Sequence, residues 1–277
     1  MTVEDSVVTD VIKPPEGWQP INFAELRHYK DLFYYLVWRD IKVLYAQTVM
    51  GFTWAIFLPL VQIIVFTIIF GRLAKIDTGG VPYFLFSTLA IIPWSYMQSV
   101  LDKSSNSLVS QQGLLGKIYV PRLIFPIVPV LSKLIDFAIS LAILVAVLIY
   151  YQVTPTWNLL FLPLFILMMM AVPAAIGLFL SSLAIRYRDV KFALQFVLKL
   201  LIYSAPILYS ADKIPEGYRL VYSINPIVGV IEGFRASLLG TEIPWLYIYP
   251  GMITCVIGLW LGAMYFKRME KVFVDVI

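Results

Sequence analysis

FAISLAILVAVLIYYQVTPTWNLLFLPLFILMMMAVPAAIGLFLSSLAI, residues 137 to 185, runs for 49 positions without a charged side chain. A bilayer-spanning helix needs about 20 apolar residues at 1.5 Å each, so this run is too long for one span. Gln152-Val-Thr-Pro-Thr-Trp-Asn158 divides it, because Pro155 and its polar neighbours suit a turn at a surface. The division predicts two crossings, at about 121–151 and 157–185. Outward from this pair the same reading continues. Residues 52–70 are free of charge for 19 positions and 81–101 for 21, and 243–266 is uninterrupted for 24 before Lys267 and Arg268. Residues 192–211 are broken only by Lys199. Six spans are therefore expected, at about 52–71, 81–101, 121–151, 157–185, 192–211 and 243–266.

The composition agrees. Of the 277 residues 60% are hydrophobic and only 14% charged, with a mean hydropathy of +0.84; a soluble domain carries roughly 25% charged residues. The deficit exceeds what a large core explains, whereas lipid as solvent explains it directly. The expected fold class is an all-α polytopic membrane protein. Residues 1–25, with Pro14, Pro15, Gly17 and Pro20, hold no apolar run with a small-residue cleavage site, and are read as a cytoplasmic tail rather than a signal peptide. One cysteine, Cys255, excludes an intrachain disulfide, and one histidine beside it argues against a transition-metal site.

Lysine and arginine placement sets the expected orientation. Fourteen of the 21 basic residues fall on one side of the six-span scheme: in the N-terminal region, after the second and fourth spans, and at the C-terminus. The opposite loops hold five: Arg72, Lys75, Lys213, Arg219 and Arg235. Both termini should be cytoplasmic. The net charge of +4 needs no nucleic-acid partner, since anionic lipid headgroups account for it.

Residues 26–50 are too charged to cross, yet Tyr29, Leu32, Phe33, Leu36, Val37 and Ile41 recur at steps of three and four. With Arg27, Lys30, Arg39 and Lys42 on the remaining surface, the pattern predicts an amphipathic helix in the headgroup plane. A helix packed on a soluble domain is the competing reading, and no such domain exists in 51–277, which reads as one transmembrane domain. The loop 102–120 is polar and small, including Ser104, Ser105, Asn106, Ser107, Gln111, Gln112 and Gly113. It exceeds what a connection needs, and its leucines suggest a short amphipathic helix offering a docking surface. A passive linker is the alternative. Between the fifth and sixth spans, residues 212–242 contain Asn225-Pro226, which splits them into two pieces too short to cross. They are read as two short re-entrant or interfacial helices on the outer side.

Catalytic chemistry is not visible. No nucleotide-binding loop is present: residues 111–118 lack the first glycine and the final hydroxyl of that motif. Asp136 is the only acid within the expected spans and stands three residues after Lys133, close enough to pair. An ion-coupled carrier or a metal-dependent membrane transferase would ordinarily need more intramembrane acids or histidines. Lys199, roughly 13 Å from the span's end, either faces an interior path or snorkels to the headgroups. Phe84, Tyr203 and Tyr209 are candidates to line such a path, with a lipid-facing role the better expectation for any one of them. Gly258 and Gly262 have the spacing that allows close helix packing.

The order of these features resembles the membrane subunits of type-2 ABC exporters, which move lipid-linked polysaccharides or teichoic acids. The resemblance rests on Leu36-Val-Trp-Arg-Asp-Ile41 with Tyr45, Gly51-Phe-Thr-Trp54 through Pro59, and Lys117-Ile-Tyr-Val-Pro-Arg122 with Pro126. Arg186-Tyr-Arg-Asp189, Ser204-Ala-Pro-Ile207, Asn225-Pro226 with Glu232-x-x-Arg235, and Phe266-Lys-Arg-Met-Glu270 continue it. Each motif is weak and their joint order is specific.

The resemblance implies a homodimer of this chain with two copies of a separate ABC ATPase, which would bind ATP and magnesium. No cofactor is then expected in this chain. It implies that the loop after the second span couples to the ATPase and that Asn225, Pro226, Glu232 and Arg235 belong to an outer gate. Trp38, Arg39, Lys42, Lys117 and Arg122 would stand at a cytoplasmic entrance, where the four basic side chains could attract a diphosphate; folding and topology account for the same charges equally well. The cargo implied is a polymer on a polyprenyl diphosphate, O-antigen before teichoic acid or capsule. It would cross a bacterial inner membrane. An ATP-independent secondary transporter is the alternative, though neither internal repeats nor paired intramembrane acids favour it.

Overall fold

The structure, a computed structural model, describes residues 27–46, 51, 53–115 and 120–270. Described residues form helices and turns. The first helix, α1 (Lys30–Ala46), follows the predicted three-and-four periodicity: Leu36 is buried, with Leu32, Phe33 and Val37 packed around it. That face rests on α6 (Ile124–Ser132), in a cluster that also holds Leu108, Leu178 and Phe266. Tyr34, Tyr35, Trp38 and Val43 remain exposed on the other side.

Among the described residues five helical stretches are long and apolar enough to cross a membrane: Thr53–Leu73, Tyr83–Ser105, Ile124–Tyr150, Trp157–Arg186 and Trp245–Met269. The first is α2 (Thr53–Phe66), carried on by a π-helical turn over Thr67–Leu73, in which the Ala74 amide reaches back to the Ile69 carbonyl at 2.8 Å. Only Pro59 and Ile63 of α2 are buried. By contrast α3 (Tyr83–Ser105) is the centre of the bundle, with Leu89, Ala90, Ile91, Trp94 and Met97 fully enclosed. Two short turns, α4 (Ser107–Ser110) and α5 (Gln112–Leu115), follow it.

The third stretch consists of α6 and α7 (Leu134–Tyr150), joined through Lys133. The ladder continues through that junction, with the Lys133 amide donating to the Pro129 carbonyl and the Phe137 amide to the Lys133 carbonyl, each at 3.1 Å. A 3₁₀ turn over Trp157–Phe161 leads into α8 (Leu162–Arg186). The turn predicted at 152–158 is there, and Gln152 takes a positive φ of 54° to make it.

The fifth expected span, 192–211, is not a full crossing helix. Its helix is α9 (Val190–Ser204), 15 residues or about 22 Å, against a hydrocarbon core of about 30 Å. Pro206 is the physical reason, since the residue before a proline is forced from helical to extended backbone. Ala205 has φ −93° and ψ 156°. Residues 205–211 then fold irregularly against the core, burying Ala205, Ile207, Leu208 and Ala211.

The two short helices predicted around Asn225-Pro226 are present as α10 (Glu216–Ser223) and α11 (Pro226–Leu239). The Asn225 side chain caps α11 by accepting from the Ile227 amide at 3.1 Å, Pro226 fills the first helical position, and Gly240 ends the helix at φ 71°. Almost every side chain of α11 is buried, because it packs on α3, α8 and α12 (Trp245–Met269). The Gly258/Gly262 expectation also holds. A Cβ on Gly262 would come to 2.6 Å from the Ala175 carbonyl oxygen, so α12 and α8 meet backbone to backbone there.

Candidate functional site

Two regions at opposite ends of the bundle, and one exposed helix face between them, carry the residues of interest. At the end that holds α1, a cleft of about 850 Å³ separates α1 from the end of α3, the α4–α5 turns and the start of α9. Arg39 projects from α1 and donates to Gln111 Oε1 at 3.3 Å while pairing with Asp40 at 3.0 Å. The Arg39 side chain thus links α1 to the polar loop. Trp38 is half exposed with Lys42 Nζ 5.6 Å from its ring, and Arg122 donates to the Glu270 carbonyl at 2.9 Å, tying α6 to the end of α12. Lys117 lies outside the described residues.

In the polar loop, Ser104 is buried and donates to the Pro126 carbonyl at 2.6 Å, and Ser107 returns its hydroxyl to the Ser104 carbonyl at 2.7 Å. Ser105 is buried as well and Asn106 half-buried, so these four shape the loop's base. The outward-facing part is Val109, Ser110, Gln112 and Gly113, with Gln111 half-buried beside Arg39. Asp102, Lys103, Lys191 and Gln195 also line the cleft, and Gln195 donates to Asp102. Sequence reading missed them because α3 and α9 are 93 residues apart in the pair that meets.

At the other end, Glu232 and Arg235 form a buried ion pair at 3.0 Å. The Arg235 guanidinium lies 3.6 Å from the centre of the Phe86 ring and donates to the Ile207 carbonyl at 3.2 Å. Glu232 accepts from the Ala211 amide at 3.1 Å. Tyr83 donates to the Leu208 carbonyl at 3.0 Å and Tyr247 to the Ala211 carbonyl at 3.1 Å. The irregular 205–211 segment is therefore satisfied by side chains rather than by a helix. Burial pushes the Glu232 carboxyl up from its ordinary range, and the Arg235 charge opposes that shift. Nearby, Lys213 pairs with Asp77 at 2.5 Å across the exposed rim, and its hydrogen bond holds the Asp77 carboxyl below the usual range. Sequence reading marked Phe86 only as an aromatic that could line a path and did not mark Tyr83, since no local pattern shows which aromatic receives a distant guanidinium.

The proposed path residues separate into two groups. Lys199 and Tyr203 are exposed one turn apart on α9. Tyr209 joins them by donating to the Tyr203 carbonyl at 3.3 Å, and Tyr222 donates to the Tyr209 hydroxyl at 3.3 Å. Phe84 is elsewhere, in a shallow groove with Ile143, Val147 and Tyr150 of α7. Among the described residues no cluster of histidine, cysteine and acidic side chains is arranged to hold a metal.

Comparison with known proteins fits this layout. Residues 31–239 match the family described as ABC-2 type transporter. The O-antigen export system permease protein RfbA of Myxococcus xanthus is 23% identical over 254 residues, 91% of this chain and 97% of the relative. A protein of the same name from Klebsiella pneumoniae is 25% identical over 248 residues, 89% and 95% of the two chains. The polysialic acid transport protein KpsM of Escherichia coli is 24% identical over 246 residues, 84% and 91%. The match covers α1, the polar loop and the Glu232–Arg235 pair alike, and the chain belongs to the ABC-2 type transporter family.

Proposed function

We propose that this chain is the channel-forming membrane subunit of an ATP-driven exporter that moves a polyprenyl-diphosphate-linked polysaccharide, O-antigen in the first instance, from the cytoplasmic to the outer leaflet of a bacterial inner membrane. The observation that carries this reading is near full-length similarity to proteins named for O-antigen export and polysialic acid transport. Two copies of the chain would enclose the path, driven by two copies of an ABC ATPase that binds ATP and magnesium. The exposed apolar faces of α2 and α9 are surfaces for the second copy and for lipid. In the membrane α9, extended by residues 205–211, would complete a sixth crossing, with both termini cytoplasmic and α10–α11 re-entrant on the outer side.

In this scheme the outward part of the α4–α5 loop docks on the ATPase, and the Arg39–Gln111 contact passes its motion to α1. Arg39, Lys42 and Arg122, with Lys117 close in sequence, draw the diphosphate toward the entrance. Glu232 and Arg235 hold the outer gate closed against the 205–211 segment. Lys199 and Tyr203 face the path from α9, with Tyr209 behind. The test is co-purification with an ABC ATPase co-expressed with this chain, followed by ATP turnover in lipid. A stable complex with two copies of each that hydrolyses ATP is expected. A chain that purifies alone and binds no ATPase would overturn the proposal.

A further inference from the structure

A second cleft, of about 570 Å³, opens between α2, α3 and the α6–α7 junction. Each wall is one stripe of a helix. Trp54, Leu58 and Gln62 recur every four residues on α2. Ser95 and Ser99 do the same on α3, with Gln98 beside them, and Lys133, Asp136 and Ser140 face them from the third wall.

The polar members of this cleft divide into two kinds. Lys133 and Asp136 pair at 2.5 Å, Asp136 also accepts from the Tyr45 hydroxyl, and Ser140 donates to the Ala55 carbonyl at 3.3 Å. Their charges cancel within the wall. Gln62, Ser95, Gln98 and Ser99 make no hydrogen bond to any described residue. Elsewhere in the bundle Ser87 and Thr88 return their hydroxyls to the Phe84 carbonyl and Ser181 and Ser182 to the Leu178 carbonyl, while the unpartnered Ser132 and Ser237 hydroxyls are single and fully buried rather than gathered around an open cleft. An amide with no partner is costly in an apolar span, and polar side chains at such depth ordinarily face water or a ligand.

The unpaired set supplies two amides and two hydroxyls, each able to donate and accept, with no net charge. An ion would find no counter-charge left over. A neutral ligand rich in hydroxyl groups matches the set, and the half-exposed Trp54 indole offers a flat apolar face at the edge. We infer that this cleft binds sugar units of the glycan in transit, with Gln62, Ser95, Gln98 and Ser99 as the groups that read its hydroxyls. The inference rests on the polysaccharide reading above and adds a station to it on the α2–α3 side, away from Lys199 and Tyr203.

Two experiments test it separately from that reading. Replacing Gln62 and Gln98 together with leucine keeps bulk and removes four donor or acceptor groups. Export should fall about tenfold or more while the complex with the ATPase still assembles. Gln98→Asn alone should retain most export. Normal export by the double leucine variant would overturn the inference. In the second experiment, the Gln98→Cys variant, with Cys255→Ser, is treated with a charged, water-soluble methanethiosulfonate in inverted membrane vesicles. Modification is expected, and it should be several-fold slower in vesicles from cells that make the polymer than from cells that cannot. No modification, or equal rates in both, would overturn the glycan site. If the unaltered chain supports no polymer export at all, the proposed function itself fails; normal export by the unaltered chain together with equal labelling rates fails the glycan site alone.

Discussion

Arg235 is 4% exposed between Glu232, the Phe86 ring and the Ile207 carbonyl, so shortening it would leave a buried carboxylate without its counter-charge. Arg235→Leu should destabilise the chain by about 3–5 kcal/mol, read as a lowered unfolding temperature in detergent. Replacing Glu232 with leucine as well should recover much of that loss, because a buried pair exchanged for apolar side chains is often neutral. If the double variant is as unstable as the single one, the pair does more than neutralise itself. Lys199 is tested differently. It is exposed on α9 with no described partner, so Lys199→Leu should leave stability nearly unchanged and slow export if the residue faces the path. Export at the normal rate would mean that it only reaches for the headgroups. At this scale the sequence was informative about which residues carry charge and silent about what they meet. Glu232 and Arg235 are three apart on one helix and so pair by spacing, whereas Phe86 and Ile207 reach them only through the fold.

Among the elements, α12 and α8 approach closely where Gly258 and Gly262 meet Ala175. Gly262→Leu would drive a side chain into the Ala175 carbonyl, and the helices must separate to admit it. A loss of about 1–3 kcal/mol is expected, checked by thermal unfolding, with Gly258→Ala much milder because its Cβ would meet Ala175 at 3.6 Å. The α4–α5 loop makes a separate prediction. Removing residues 109–113 should abolish ATPase association while leaving membrane insertion intact, because Ser104 and Ser107 anchor the base of the loop from outside that stretch. Unchanged association would remove the coupling role. Element boundaries were legible where charge or proline marks a surface turn, as at Pro155, and where α1 shows its periodicity. They were misjudged at α9. Ala205-Pro206 sits inside an apolar run, and hydropathy does not distinguish a helix that continues from a chain that turns and packs on the core. Proline restricts the backbone before it regardless of hydropathy, so Pro206 is the residue that decides.

For the whole molecule, five helices among the described residues have the length and apolarity to cross, whereas α9 stops after 15 residues and gives way to irregular backbone. Such backbone is tolerated in a membrane only where protein or water satisfies it, and residues 205–211 have Tyr83, Glu232, Arg235 and Tyr247 for that purpose. The class of fold could be read from 49 uncharged positions, whereas the two clefts could not, because each is assembled from helices distant in sequence. The central claim is that this chain passes a lipid-linked polysaccharide through the bilayer on energy from an ATPase. The most direct measurement reconstitutes both subunits with the lipid-linked polymer in sealed vesicles and follows the polymer's exposure to a membrane-impermeant glycosidase. The account predicts that exposure on the face opposite the ATPase rises only when ATP is supplied. Transfer that proceeds without ATP under an ion gradient, or no transfer with ATP hydrolysis intact, would contradict it.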